Sequence, residues 1–285
     1  MSQSKRFHIG VVGLGLMGAS LALALRGFRS ARLSGADLNE KTCQRAMEDG
    51  VVDEAAPDVG SVMARADLLI FCVYAHHIPQ LLNDSAKRLK KGCVVSDICG
   101  VKTNLYAQIM PMLPEHIDYV GVHPMAGKEC DGYENAEAAL YRGTGFLITP
   151  TIKSTEASID LMKELANYIG AARVQVVPPE EHDEIIAYTS DLMHIAAAGL
   201  CVRPHPGTHP AFTAGAFRDS TRVADINAGA WTELLMDNRG NTVAALDQYL
   251  RDLSEIRGAL NQGDREALRK ILLRAGENKR RLKGM

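Results

Sequence analysis

Gly13-Leu-Gly15-Leu-Met-Gly18 is the first stretch of this chain that could do chemistry, since its three glycines follow an apolar run and open a segment with helical periodicity. In that context Gly13 permits a tight turn, Gly15 lets the backbone approach a pyrophosphate, and Gly18 lets the helix lie close to the strand. The helix beginning near Leu16 and Met17 offers free N–H groups and the positive end of its dipole to the phosphates. Asp37 ends the next apolar run, where a carboxylate can accept hydrogen bonds from both ribose hydroxyls and repel a 2′-phosphate. Val73, near the end of the apolar run 68–74, completes the expected cofactor contacts. The unit over 7–37 therefore predicts bound NAD. No arginine follows Asp37 closely enough to welcome the extra phosphate of NADP, and Lys41, one helical turn on, keeps that cofactor open.

Oxidation by a nicotinamide also needs a group to manage the hydroxyl proton and cations to hold an acidic substrate. The candidates fall in three clusters. Ser96-Asp-Ile-Cys-Gly-Val-Lys102 lies at the end of the run 93–97, and Gly121-Val-His-Pro-Met-Ala-Gly-Lys-Glu129 at the end of the run 119–122. Open α/β sheets bind ligands at such carboxyl ends. The third cluster is split between Thr189-Ser-Asp-Leu-Met-His194 and Phe217-Arg-Asp-Ser-Thr-Arg222, with Trp231 beyond. His123 is the expected proton acceptor, because an imidazole titrates near neutrality. Arg222, a permanently charged planar fork, suits a carboxylate.

In their order and separations these clusters resemble the prephenate/arogenate dehydrogenase family, oxidoreductases of tyrosine biosynthesis, from residue 7 to about 240. His-Pro-Met-Ala-Gly at 123–127 and Phe-Arg-Asp-Ser-Thr-Arg at 217–222 carry the resemblance, because neither follows from a generic nucleotide-binding fold. It implies NAD-dependent oxidative decarboxylation of prephenate to 4-hydroxyphenylpyruvate, with arogenate, giving tyrosine directly, as the alternative substrate. On the matching motifs His123 would draw off the proton of the ring hydroxyl, and Arg222 would hold a substrate carboxylate. His194, Ser190 and Arg218 would position the substrate, and Glu129 would stand near the site entrance. The resemblance also implies a homodimer formed through the helical part.

The chain departs from the family pattern at two positions. Gly100 stands where many members carry a serine that helps to orient the histidine, which leaves Cys99 or Ser96 as weaker donors. Met193 stands where proline is frequent, a change in backbone stiffness more than in chemistry. Related dehydrogenases of 3-hydroxy acids place a catalytic lysine in the helical part, and 181–239 contains none. A non-catalytic NAD-binding sensor is the rival of another class, and the joint presence of His123 and Arg222 speaks against it.

Positioning these groups requires an α/β fold: a Rossmann-type, doubly wound, mostly parallel sheet followed by an all-helical C-terminal domain. Apolar runs at 7–12, 33–37, 68–74, 93–97, 119–122, 145–149 and 173–177 read as buried strands alternating with helices. After Pro178-Pro179 only helical patterns follow, near 181–202, 209–217, 227–262 and 264–283. The expected division is a nucleotide-binding domain over 1–180 and a helical substrate and dimerisation domain over 181–285. Val243, Leu246, Leu250 and Leu253 make an apolar stripe whose periodicity suits burial within or between subunits.

A net charge of -2 argues against nucleic acid as a partner. Six cysteines without a CxxC pair fit a reducing cytoplasm. No leader is expected before the first strand, and no uninterrupted apolar run approaches the roughly 18 residues of a spanning helix, so no membrane partner is expected. His76 and His77 would point to opposite sides of an extended chain, so no metal site is expected there. His205 and His209 fall in a proline-rich, exposed loop.

Overall fold

Eight short strands form one sheet: β1 (His8–Val12), β2 (Arg32–Ala36), β3 (Glu54–Ala56), β4 (Leu68–Phe71), β5 (Val94–Asp97), β6 (Asp118–Pro124), β7 (Gly145–Pro150) and β8 (Arg173–Val176). This computed structural model describes residues 6–283 apart from 129, 206 and 208. The sheet order is β3-β2-β1-β4-β5-β6-β7-β8. Every pairing is parallel except β6 with β7. Seven of these strands coincide with the apolar runs; β3 was not expected, because Glu-Ala-Ala is three partly buried residues on the sheet's edge with no apolar signature.

Alternation along the strands feeds two cores. Ile9 and Val11 of β1 and Leu68 and Ile70 of β4 point to one face, with α1 (Leu16–Ala24) and, later in the chain, α6 (Glu156–Tyr168). Val12, Leu69 and Phe71 point to the other, covered by α3 (Val59–Met63), α4 (Ile78–Ser85) and α5 (Thr103–Ile109), whereas α2 (Glu40–Glu48), through Ala46, packs into the first core beside α1. Each such fully buried aliphatic or aromatic side chain contributes about 1.5–3 kcal/mol relative to exposure, so both faces must be covered for these strands to exist.

The chain order reverses between β1 and β4, since β2 and β3 run outward from one side of β1 and β4 onward from the other. The crevice at the carboxyl ends of these strands is where doubly wound sheets bind nucleotides.

The helical part comprises α7 (Pro179–Ile186), a π-helical turn (Ala187–Asp191), α8 (Leu192–Val202), α9 (Gly215–Thr221), α10 (Ala228–Asp237), α11 (Arg239–Gln262) and α12 (Arg265–Lys283). Two expectations need correction. The pattern read over 209–217 contains a short 3-10 turn at Pro210–Phe212, and α9 begins only at Gly215, after the prolines. The pattern read over 227–262 is two helices, broken at Asn238, whose buried side chain donates to Asp183 O at 2.9 Å and Asp191 Oδ2 at 3.0 Å. Those bonds hold Asn238 off helical geometry (φ -104°, ψ 20°), a tertiary demand that periodicity does not carry.

One stretch, Pro179–Val202, is long and mostly apolar. By length and composition this stretch could cross a membrane, with mean hydropathy 1.5 over its apolar window, although no uninterrupted apolar run reaches that length. Ile185, Tyr188, Met193, Leu200 and Val202 on it are exposed in the single chain. Val243, Leu250 and Leu253 of the stripe on α11 are exposed too, so the chain does not cover that stripe itself.

Candidate active site

The glycine turn follows β1 as expected. Gly13 has φ +92°, and a Cβ there would stand 2.5 Å from Cys72 O and 2.7 Å from Val73 Cγ1. At Gly18 a Cβ would stand 1.9 Å from Gly13 O, so only glycine lets α1 lie this close to the turn. The position of a Gly15 Cβ is open, which leaves the approach to the N-terminus of α1 clear. No acidic side chain occupies the first turn of α1 to repel a phosphate. Asp37 sits beside this turn, where its Oδ2 accepts the Leu14 N–H at 2.8 Å and its Oδ1 the Asn39 N–H at 2.9 Å. The carboxylate is thus fixed in place, and each oxygen keeps a lone pair for a ribose hydroxyl. The donor set and the open approach fit a dinucleotide.

Beyond the ends of β4 and β6 a cavity of about 450 Å³ opens between the sheet and the helical part, the size of small-molecule sites. His123, Ser190 and His194 line it together, with Tyr74, Gly100, Lys128, Asp131, Trp231 and Leu234. His194 stacks on Trp231 with ring centroids 3.6 Å apart. Its Nδ1 lies 2.9 Å from Ser190 O, a bond in which the ring must donate, so in the neutral ring Nε2 is the bare nitrogen.

Behind His123 lies a chain of groups to which sequence reasoning gave no role. His123 Nδ1 is 2.9 Å from His182 Nε2, and His182 Nδ1 is 2.7 Å from Asp183 Oδ1. Asp183 Oδ1 also accepts the Lys102 N–H at 2.9 Å and Oδ2 the Thr103 N–H at 2.8 Å. This carboxylate therefore caps the N-terminus of α5 and ties α7 to the sheet domain. Burial alone would raise its pKa, and the hydrogen bonds from His182, Thr103 and Lys102 outweigh that and hold it below the usual carboxylate range.

Lys102, fully buried, donates to Asp97 Oδ1 at 2.6 Å and to Val122 O at 2.7 Å, and the Tyr119 hydroxyl donates to Asp97 Oδ2 at 2.6 Å. This pair forms the floor beneath His123. Burial, then His182, then the Lys102 charge push the His123 pKa well below 6.5, so the ring meets its ligand neutral.

The remaining predicted residues lie elsewhere. Arg218 on α9 and Arg222 just after it are exposed, and neither lines the cavity, although Val223, next in the chain, does. Glu129 lies outside the described residues; its neighbours Lys128 and Cys130 line the cavity. Lys128, a lining cation that the sequence reading passed over, pairs with Glu137 at 3.1 Å. The donors proposed to replace a serine at position 100 do not reach His123. Cys99 Sγ bonds Val73 O at 3.7 Å, and Ser96 Oγ is buried without a partner among the described residues. His76 and His77 pack ring to ring, centroids 4.1 Å apart, and no group of three or more metal-binding side chains converges among the described residues.

This division of labour is matched by two family models: the nucleotide-binding domain of prephenate dehydrogenase over residues 20–175 and its dimerization domain over 178–274. The chain belongs to the prephenate dehydrogenase family. It is 28% identical to prephenate dehydrogenase of Bacillus subtilis over 90% of this chain and 71% of that protein. It is 29% identical to cyclohexadienyl dehydrogenase of Zymomonas mobilis over 92% and 91%. Among solved structures, the family fold superposes on A. aeolicus prephenate dehydrogenase in complex with hydroxyphenyl propionate and NAD+, with TM-score 0.87 and 25% identity, covering 99% of this chain and 100% of that one. Synechocystis arogenate dehydrogenase gives TM-score 0.84 and 26% identity, covering 97% and 100%. The Rossmann-type sheet followed by a helical region is thus the fold of this family.

Proposed function

We propose that the chain is an NAD-dependent dehydrogenase that oxidises the ring hydroxyl of prephenate with loss of CO2, giving 4-hydroxyphenylpyruvate for tyrosine synthesis. The observation that carries this reading is His123 at the cavity wall, held neutral by burial and backed by His182. Gly13, Gly15, Leu16, Met17 and Gly18 would hold the pyrophosphate, Asp37 the ribose, and Val73 the nicotinamide end. When bound, NAD supplies the acceptor for the hydride on the carbon that bears the hydroxyl.

His123 takes the hydroxyl proton on Nε2 as that carbon becomes a carbonyl. The bond to the ring carboxylate breaks, its electron pair enters the ring, and CO2 leaves as the ring becomes aromatic. His194, held by Ser190 O and Trp231, would place the substrate side chain. Lys128, Arg218 and Arg222 would supply the positive charge for the substrate carboxylates, and Glu129 keeps the acidic role that the resemblance implies. The limits 1–180 and 181–285 are our domain division. A homodimer through the helical part accounts for the uncovered apolar faces of α8 and α11. A cytoplasmic location is supported by six free cysteines.

The test is NADH formation by purified protein with prephenate or arogenate and NAD or NADP. Turnover with prephenate and NAD is expected. Turnover with arogenate alone would move the substrate to the amino analogue, and none in any of the four combinations would refute the reading.

A further inference from the structure

A carboxylate only accepts hydrogen bonds, so in the His182–Asp183 contact the hydrogen sits on His182 Nδ1. With its one hydrogen on Nδ1, His182 offers Nε2 as a bare acceptor, and the 2.9 Å contact with His123 then uses a hydrogen on His123 Nδ1. His123 Nε2 is left bare, on the ring edge that faces Gly100. Nothing at position 100 can contribute: a Cβ there would be 3.9 Å from Nε2, and glycine has none. Among the described residues no other side chain hydrogen-bonds His123.

We infer that His182, held by Asp183, is the positioning residue that selects the tautomer of His123 whose Nε2 can take the substrate proton, and that it does so from behind the ring without a partner at position 100. The inference rests on His123 being the base, as proposed above. Without an acceptor at Nδ1 the ring can carry its hydrogen on Nε2, and would then meet the substrate hydroxyl as a donor, the wrong role. The chain also suits the state after transfer: the His123 cation keeps donating through Nδ1, its bond to His182 becomes charge-assisted, and the Asp183 carboxylate stands at the far end.

The experiment pairs His182→Gln with His182→Asn in otherwise intact protein. The glutamine amide reaches the place of Nε2 and can accept from His123, whereas the asparagine amide reaches only the place of Nδ1 and can contact Asp183 alone. In protein labelled with 15N at histidine, two-bond couplings to ring protons report which nitrogen of His123 carries hydrogen. The wild type and His182→Gln should show hydrogen on Nδ1. His182→Asn should show hydrogen on Nε2, with kcat lower by roughly 10²–10⁴-fold, the scale for a base held in the wrong tautomer, and KM nearly unchanged. A wild-type spectrum with hydrogen on Nε2 would overturn the inference whether or not the variants fold, as would His182→Asn with wild-type kcat. A wild type with hydrogen on Nδ1 but no turnover would instead refute the proposed reaction and leave the positioning intact.

Discussion

Replacing His123 by asparagine separates the chemistry of the ring from its place in the fold. The asparagine amide nitrogen falls close to the position of Nδ1 and can keep donating to His182 across the 2.9 Å contact, while Nε2 and its basicity disappear. A general base contributes roughly 10²–10⁴ in rate, so kcat should fall by that factor with KM nearly kept, about 2.7–5.5 kcal/mol of transition-state stabilisation. The same substitution removes a pH-dependent liability. Burial, His182 and Lys102 hold the folded-state pKa of His123 well below 6.5, so between that value and 6.5 the unfolded chain binds a proton that the folded chain refuses. The wild type is free of this penalty above pH 6.5 and loses stability as pH falls below it, by up to about 1.4 kcal/mol per pH unit. At about pH 5.5 the wild type has lost stability in this way, and the asparagine variant does not suffer the loss. His8 and His77, also displaced downward mainly by burial, are common to both proteins and cancel in the difference. Urea unfolding of both proteins at about pH 7.5 and about pH 5.5, at equal protein concentration, measures the effect. A stability difference that does not change with pH would show that the ring is not held neutral. Wild-type turnover in the variant would remove His123 from the mechanism.

Three further outcomes are open to direct measurement. Asp37→Ala strips the acceptor from the N–H groups of Leu14 and Asn39 and should weaken NAD binding by roughly 10- to 100-fold in a fluorescence titration, with less effect on NADP; equal losses for both cofactors would count against its contact with the ribose. Gly18→Ala drives a Cβ to 1.9 Å from the backbone oxygen of Gly13, so the urea midpoint should fall by the equivalent of about 1–3 kcal/mol and NAD affinity with it, and an unchanged midpoint would be inconsistent with the packing of α1. Leu250→Glu combined with Leu253→Glu charges the uncovered stripe of α11 and should yield a species of single-chain mass in sedimentation; wild-type mass would place the dimer contact elsewhere.

Much of this architecture can be read in the sequence because burial on both faces writes strands as apolar runs and the cofactor turn needs glycine at fixed positions. The edge strand β3 escapes because three residues carry no period. The break at Asn238 escapes because its cause is two hydrogen bonds to residues far away in the chain. The site was legible where motifs quote it, at His123, Ser190 and His194, and illegible where its geometry depends on a neighbour from another element. Glu181-His182-Asp183 looks like an ordinary charged helix start after Pro178-Pro179, and only the docking of α7 on α5 turns it into the support of His123. Lys102 and Asp97 were visible as a cluster, but their roles follow from complete burial beneath His123.

The wide turn at Ala187–Asp191 explains how one helical stretch serves the cleft twice. His182 and His194 are twelve positions apart, and at about 100° per residue a regular α-helix would aim them about 120° apart. A π turn takes up one extra residue, so the angular separation is that of about eleven α-helical steps, about 20°. The two imidazoles therefore share a bearing, one backing His123 and the other lining the cavity. The surplus residue acts as a phase shifter, and a helical wheel drawn on the sequence alone assigns the two histidines to different sides of the rod.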